Sequence, residues 1–209
     1  MDTFTFKDTI FDLGQMKEHV ADTAGKLGLK DTGRALGYAF EAHEGQTRKK
    51  SDIPYIYHPL SLACHALAMG IEEDEVIAAC LLHDVVEDCG RTLDELPVDA
   101  GTKEIVRLLT RSDCTGEDRA AAKAAYYGAI AKNPKAALVK CLDRCNNMTT
   151  MSWGFGKEKI ISYIKDTEEY YPELLEAAGR EPAYADAAWL LKYQIESMLD
   201  IYKRLIKGL

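Results

Sequence analysis

Leu81-Leu82-His83-Asp84-Val85-Val86-Glu87-Asp88 sets an adjacent His-Asp pair one helical turn ahead of a Glu-Asp pair, inside a short apolar segment. Residues four apart on a helix share a face, so the spacing places His83 under Glu87 and Asp84 under Asp88, between Leu81, Leu82, Val85 and Val86. An imidazole and a carboxylate held in apolar surroundings are costly unless a metal ion or a partner satisfies them. A lone His-Asp dipeptide reads as a solvated helix end. Here the acidic pair stands beside it.

Two other segments supply what this one lacks. Pro54-Tyr55-Ile56-Tyr57-His58-Pro59 ends on a proline suited to the first turn of a helix, which puts His58 just before a helix of roughly residues 59–69. Leu138 to Thr150 carries Asp143, Asn147 and Thr150 at i, i+4 and i+7, a polar stripe on an otherwise apolar helix. Together His58, His83, Asp84 and Asp143 would form a site of nitrogen and oxygen donors with positions open to water or substrate. Such a set suits Mn²⁺, Fe²⁺ or catalytic Zn²⁺ and is unlike a closed thiolate zinc site; the donors do not choose among the three ions. Singly, a histidine before proline is a turn residue and an Asp before Arg an ion-pair member. The coincidence of three segments is what points to a metal. His19 and His65 have no such context, and His43 either faces the site or is a satisfied structural histidine.

The rest of the chain reads as helices. At 209 residues, 47% hydrophobic and 29% charged, it is expected to form one domain over residues 1–209. Periodicity predicts helices over roughly 15–28, 32–45 (capped by Asp31 or Thr32), 59–69, 73–88, 92–97, 101–111, 120–132, 135–150, 157–178 and 183–207. Leu191, Ile195, Met198, Tyr202 and Leu205 form one stripe on the last, expected to pack in the core, with a dimer face as the alternative. No repeat and no convincing strand interrupts this, so the expected fold is all-α, a compact non-repeating bundle. The formal charge of -8 argues against an extended nucleic-acid surface, so a phosphate-rich ligand must meet a local basic patch. The six cysteines show no CxxC and have apolar neighbours, as small core residues of a reducing compartment do. With no signal peptide and no run of the roughly 18 apolar residues a membrane span requires, the expectation is a cytoplasmic protein that engages no membrane. Its state as monomer or homo-oligomer stays open.

Four segments in order, His43-Glu44-Gly45-Gln46-Thr47-Arg48-Lys49, Pro54 to Pro59, His83 to Asp88 and Asp143-Arg144-Cys145-Asn146-Asn147-Met148, resemble the hydrolase domain of the RelA/SpoT alarmone enzymes, a branch of the HD phosphohydrolases. The match spans roughly residues 30–150 and is closest to the free-standing small alarmone hydrolases. The resemblance implies a helical HD-type fold in which His58, His83, Asp84 and Asp143 bind Mn²⁺. It implies that Glu87 and Asp88 are the catalytic acidic pair, that Arg48 and Lys49 meet the substrate's phosphates, and that Asn147 and Thr150 contact the nucleotide. The chain departs from the pattern in three places. The loop from Arg48 to Pro54 is about one residue longer and lacks its usual Gly, so either Lys49 or Lys50 can meet phosphate. Asn146 stands where His is common and Cys89 where Thr is common, and neither change is expected to touch a ligand.

The implied reaction is hydrolysis of guanosine tetra- or pentaphosphate at the ribose 3′ oxygen, giving GDP or GTP and pyrophosphate, with no nucleotide-synthesising domain. The metal would acidify a bound water and polarise the phosphoryl oxygen, while Glu87, helped by Asp88, accepts the proton or positions the nucleophile. Two rivals remain: an HD-type phosphohydrolase of another phosphorylated nucleotide, and a sensor that binds the alarmone without cutting it.

Overall fold

The structure is a computed structural model that describes residues 12–48, 51–111 and 119–207, with the backbone alone at Trp153. Lys49, Lys50 and Cys114 lie outside the described residues. Among those described the architecture is all-α. It runs α1 (Leu13–Leu27), α2 (Lys30–Ala42), α3 (Tyr57–Ala68), α4 (Asp74–Leu82), α5 (Val85–Asp88), α6 (Ala100–Leu109), α7 (Arg119–Ile130), α8 (Pro134–Gly154), α9 (Lys157–Gly179) and α10 (Ala185–Lys207), with a 3₁₀ turn Pro182–Tyr184 leading into the last. The only pairing outside helices there is an isolated antiparallel bridge between Thr47 and Pro54.

The centre is α4. Every residue from Val76 to Leu82 is buried, because α2, α3, α6 and α8 all pack around it. Its apolar run without amphipathic alternation is what an enclosed helix requires. Long α8 lies against α9 and α10; it starts where Asn133 accepts from the Ala136 N–H and Pro134 takes the first turn.

Three expectations are corrected here. The helix predicted over 73–88 is two helices, parted by a turn at His83-Asp84. His83 Nδ1 turns back onto the Cys80 carbonyl at 2.9 Å, and Asp84 sits at φ -100°, ψ -7°, off the helical minimum. Residues 92–97 form a turn, closed by Glu95 accepting from the Thr92 N–H and hydroxyl at 2.7 and 2.9 Å. Neither Asp31 nor Thr32 caps α2, which begins at Lys30. The cap comes instead from α4, whose Asp74 carboxylate accepts from the N–H of Asp31 (2.9 Å) and Thr32 (2.7 Å). Asp31, buried, serves α6 in the same way, accepting from the Asp99 N–H and the Thr102 hydroxyl at 2.8 and 2.7 Å. Two helix starts are thus capped through space, locking α2, α4 and α6 together.

On α10, Leu191 and Ile195 are buried and Met198 and Tyr202 pack against the core, while Leu205 is exposed. The stripe is a core face along most of its length. No helix of the described residues is long and apolar enough to cross a membrane.

Candidate metal centre and nucleotide cavity

His58 enters from the first turn of α3, one residue inside the helix that was expected to begin after it. His83 and Asp84 come from the turn between α4 and α5, and Asp143 from the middle of α8. Their donor atoms converge. His58 Nε2 lies 3.2 Å from His83 Nε2, 3.5 Å from Asp84 Oδ2 and 3.3 Å from Asp143 Oδ1; His83 Nε2 lies 3.1 and 3.9 Å from the same two oxygens. His58, His83 and Asp84 each offer a ligand atom within 4.8 Å of the others.

The donor set fits a cation. His58 Nδ1 donates to Asn146 Oδ1 at 2.6 Å and His83 Nδ1 donates to the Cys80 carbonyl. Each hydrogen bond fixes a tautomer whose Nε2 lone pair faces the partner ring, the arrangement a metal site builds through its outer hydrogen bonds. Both rings are buried, so the facing lone pairs need a positive charge between them.

Charge around the site points the same way. Burial opposes ionisation of Asp84, but the imidazolium of His83 outweighs it and holds the carboxyl well below the usual range. Asp143, also buried, is held low chiefly by the Lys140 ammonium, with His58 adding to the effect. Lys140 Nζ lies 2.9 Å from Asp143 Oδ2, and Asn147 Nδ2 donates to Asp143 Oδ1. Burial would lower His83, but Asp84 dominates and lifts it to about 9.

The acidic pair divides. The Tyr55 hydroxyl lies between two carboxylate oxygens, 2.7 Å from Asp84 Oδ2 and 2.8 Å from Asp88 Oδ2, and can donate to either. The Glu87 carboxylate accepts from the N–H of Arg111, just past the end of α6, at 3.3 Å. Burial raises the Glu87 carboxyl above its usual value, opposed by that N–H.

Beside Asp88 opens a cavity of about 490 Å³ lined by Arg48, Tyr55, Asn147, Thr150, Met151, Phe155 and Lys159. Arg48 projects from the loop pinned by the Thr47–Pro54 bridge and by its own N–H to the Ile53 carbonyl at 2.8 Å. Its guanidinium reaches Asn147 Oδ1 at 3.0 Å and Thr150 Oγ1 at 3.1 Å and lies over the Tyr55 ring. The polar stripe of α8 thus runs from Asp143, beside the two histidines, to the cavity wall at Thr150.

Sequence reasoning missed Tyr55, Lys140, Asn146, Phe155 and Lys159. Lys140 carried a signal, a lysine three residues before Asp143 on an apolar helix face. Asn146 was expected to touch no ligand and in fact holds His58. His43 stacks on Tyr55 at 4.8 Å with Nδ1 2.9 Å from Gln46 Oε1; it buttresses the site without joining the donors.

The HD domain family matches residues 35–177. A guanosine-3′,5′-bis(diphosphate) 3′-pyrophosphohydrolase of Aquifex aeolicus is 31% identical over 78% of this chain and 22% of its own length. A Vibrio cholerae protein of the same name is 30% identical over 81% and 26%, and a probable GTP pyrophosphokinase of Mycobacterium leprae 33% identical over 74% and 20%. The chain thus spans about a fifth to a quarter of the length of these relatives. A solved structure described as a metazoan ortholog of SpoT that hydrolyzes ppGpp aligns with a TM-score of 0.62 at 22% identity, covering 79% of this chain and 92% of the other, a likeness of fold. Since the family's match runs from within α2 into α9 and takes in every element that presents His58, His83, Asp84 and Asp143, this chain belongs to the HD domain family.

Proposed function

We propose that this chain hydrolyses guanosine 3′,5′-bis(diphosphate) and the corresponding pentaphosphate, releasing pyrophosphate from the ribose 3′ position. The observation that carries the reading is adjacency: the convergent donors of His58, His83, Asp84 and Asp143 lie at one end of a polar stripe whose other end, Asn147 and Thr150, holds the guanidinium of Arg48 over a nucleotide-sized cavity. The names borne by the Aquifex and Vibrio relatives support the substrate.

His58, His83, Asp84 and Asp143 would hold a divalent ion, taken as Mn²⁺ from the resemblance to the alarmone hydrolases, with Fe²⁺ and Zn²⁺ as competitors for the same nitrogen and oxygen donors. When bound, the ion supplies Lewis-acid polarisation of the phosphoryl oxygen and an acidified water. Arg48 contributes paired N–H donors to phosphate, with Lys49 of the same loop adding charge on a protein that is acidic overall. Asn147 and Thr150 orient Arg48 and line the nucleoside's side of the cavity. Glu87, exposed, with partial desolvation raising its carboxyl above the usual value, accepts the proton of the attacking water. Asp88, within reach of the Tyr55 hydroxyl, stands next to the cavity and orients the nucleophile with Glu87. The described cysteines are free thiols, which supports the reducing cytoplasm as the compartment.

The test is to incubate Mn²⁺-loaded protein with 3′-pyrophosphorylated and ordinary 5′ nucleotides. Turnover confined to the 3′-pyrophosphates supports the reading. Equal turnover of ordinary nucleotides would replace it with a general phosphohydrolase, and tight binding without turnover would replace it with a sensor.

A further inference from the structure

The Tyr55 hydroxyl touches two carboxylates with different duties: Asp84 Oδ2 at 2.7 Å, among the metal donors, and Asp88 Oδ2 at 2.8 Å, on the cavity wall. A phenol carries one proton, so it donates to one of these oxygens at a time. The ring cannot swing away to choose, because His43 stacks on it at 4.8 Å, His58 meets it edge-on at 6.1 Å and the Arg48 guanidinium lies 5.6 Å above it. Only the hydroxyl hydrogen can move. Asp88 lies on the far side of that hydroxyl, and its own carbonyl is tied to Gln46 Nε2 at 3.3 Å.

We propose that Tyr55 is a positioning residue that couples the metal site to Asp88: with Asp84 committed to a cation, the phenol's single proton goes to Asp88 and fixes that carboxylate against the cavity. With no cation, the hydroxyl serves Asp84 and releases Asp88. The inference rests on the metal-dependent reading of the site. Tyr55 changes no bond and holds no charge; it reports occupancy of one carboxylate to the other. The coupling also runs in reverse, since an Asp88 that no longer accepts leaves the hydroxyl free to compete for Asp84 Oδ2 against the ion.

That reverse direction gives a test needing no substrate. Mn²⁺ affinity is measured, by the electron paramagnetic resonance signal of free Mn²⁺, for wild type, Tyr55→Phe, Asp88→Ala and the double variant. Phe keeps the ring and its stacking, and Asp88 is exposed, so both variants should fold. Asp88→Ala should weaken Mn²⁺ binding about threefold or more with Tyr55 present and less than twofold with Phe in its place, a coupling of the size contacting residues show. Equal effects of Asp88→Ala in the two backgrounds, or loss of metal in Tyr55→Phe alone, would overturn the coupling. In the same preparations Tyr55→Phe should lower kcat about tenfold with KM within twofold; unchanged kcat would equally overturn it. Wild type that binds Mn²⁺ but hydrolyses nothing would defeat the proposed function and leave the metal-binding cycle to decide the role of Tyr55.

Discussion

His58 Nε2 and His83 Nε2 face one another at 3.2 Å, each ring pinned from behind by a hydrogen bond through Nδ1. Two buried lone pairs at that separation repel, so the pair is held together by whatever positive charge sits between them and the carboxylates of Asp84 and Asp143. A divalent ion bound there, as proposed above, would supply that charge in place of the proton that the raised His83 favours.

The exchange of one for the other sets a pH dependence. His83 is raised to about 9 in the folded chain from about 6.5 unfolded, so its charge stabilises the metal-free fold fully below about pH 6.5, and this is lost as pH rises through about 9. Chelator-treated protein should lose urea resistance between pH 6.5 and 9, and added Mn²⁺ should restore it most at the alkaline end, because ion uptake displaces the proton. Stability that stays flat across that window would contradict the assignment.

Asn146 fixes the tautomer of His58, and replacing it with Ala removes the acceptor while leaving the four proposed ligands in place. Metal affinity should fall about 10- to 100-fold, the range for losing an outer hydrogen bond to a ligand histidine. Isothermal titration with Mn²⁺ measures this; an unchanged affinity would mean that Asn146 is a bystander.

Arg48→Ala should separate substrate binding from metal chemistry. A guanidinium cannot ligate the ion, and hydrogen bonds between charged groups contribute about 1.5–3 kcal/mol, so KM should rise about tenfold or more while metal content holds. An unchanged KM would remove the basic loop from the substrate site.

Glu87→Gln should act on turnover alone. The carboxylate accepts from the Arg111 N–H and is not one of the proposed ligands, so metal content and nucleotide binding should persist while turnover falls about 100-fold or more, as for loss of a positioned general base. Single-turnover rates equal to wild type would take Glu87 out of the mechanism.

That His58, His83, Asp84 and Asp143 meet was legible because the signals are local: a histidine before Pro59, a His-Asp pair in an apolar run and an Asp heading a polar stripe each announce themselves within a few residues. The helical class was legible from periodicity for the same reason. What escaped was decided through space. The break at His83-Asp84 depends on His83 reaching the Cys80 carbonyl, and the start of α2 depends on Asp74, more than forty positions away. Asp31 looked like a cap for its own helix and proved to be one for α6. Tyr55 and Asn146 gave no sign of their partners, since nothing in the sequence says that the turn before α3 and the middle of α8 present them to the same pair of histidines and carboxylates.

The central claim is metal-dependent cleavage at the ribose 3′ oxygen, and the most direct measurement is product analysis of guanosine 3′,5′-bis(diphosphate) incubated with Mn²⁺-loaded protein. The account predicts GDP and pyrophosphate in equal amounts, abolished by chelator, restored by Mn²⁺, and absent in His83→Ala, which should retain no ion. Orthophosphate in place of pyrophosphate, or full turnover by metal-free His83→Ala, would contradict it.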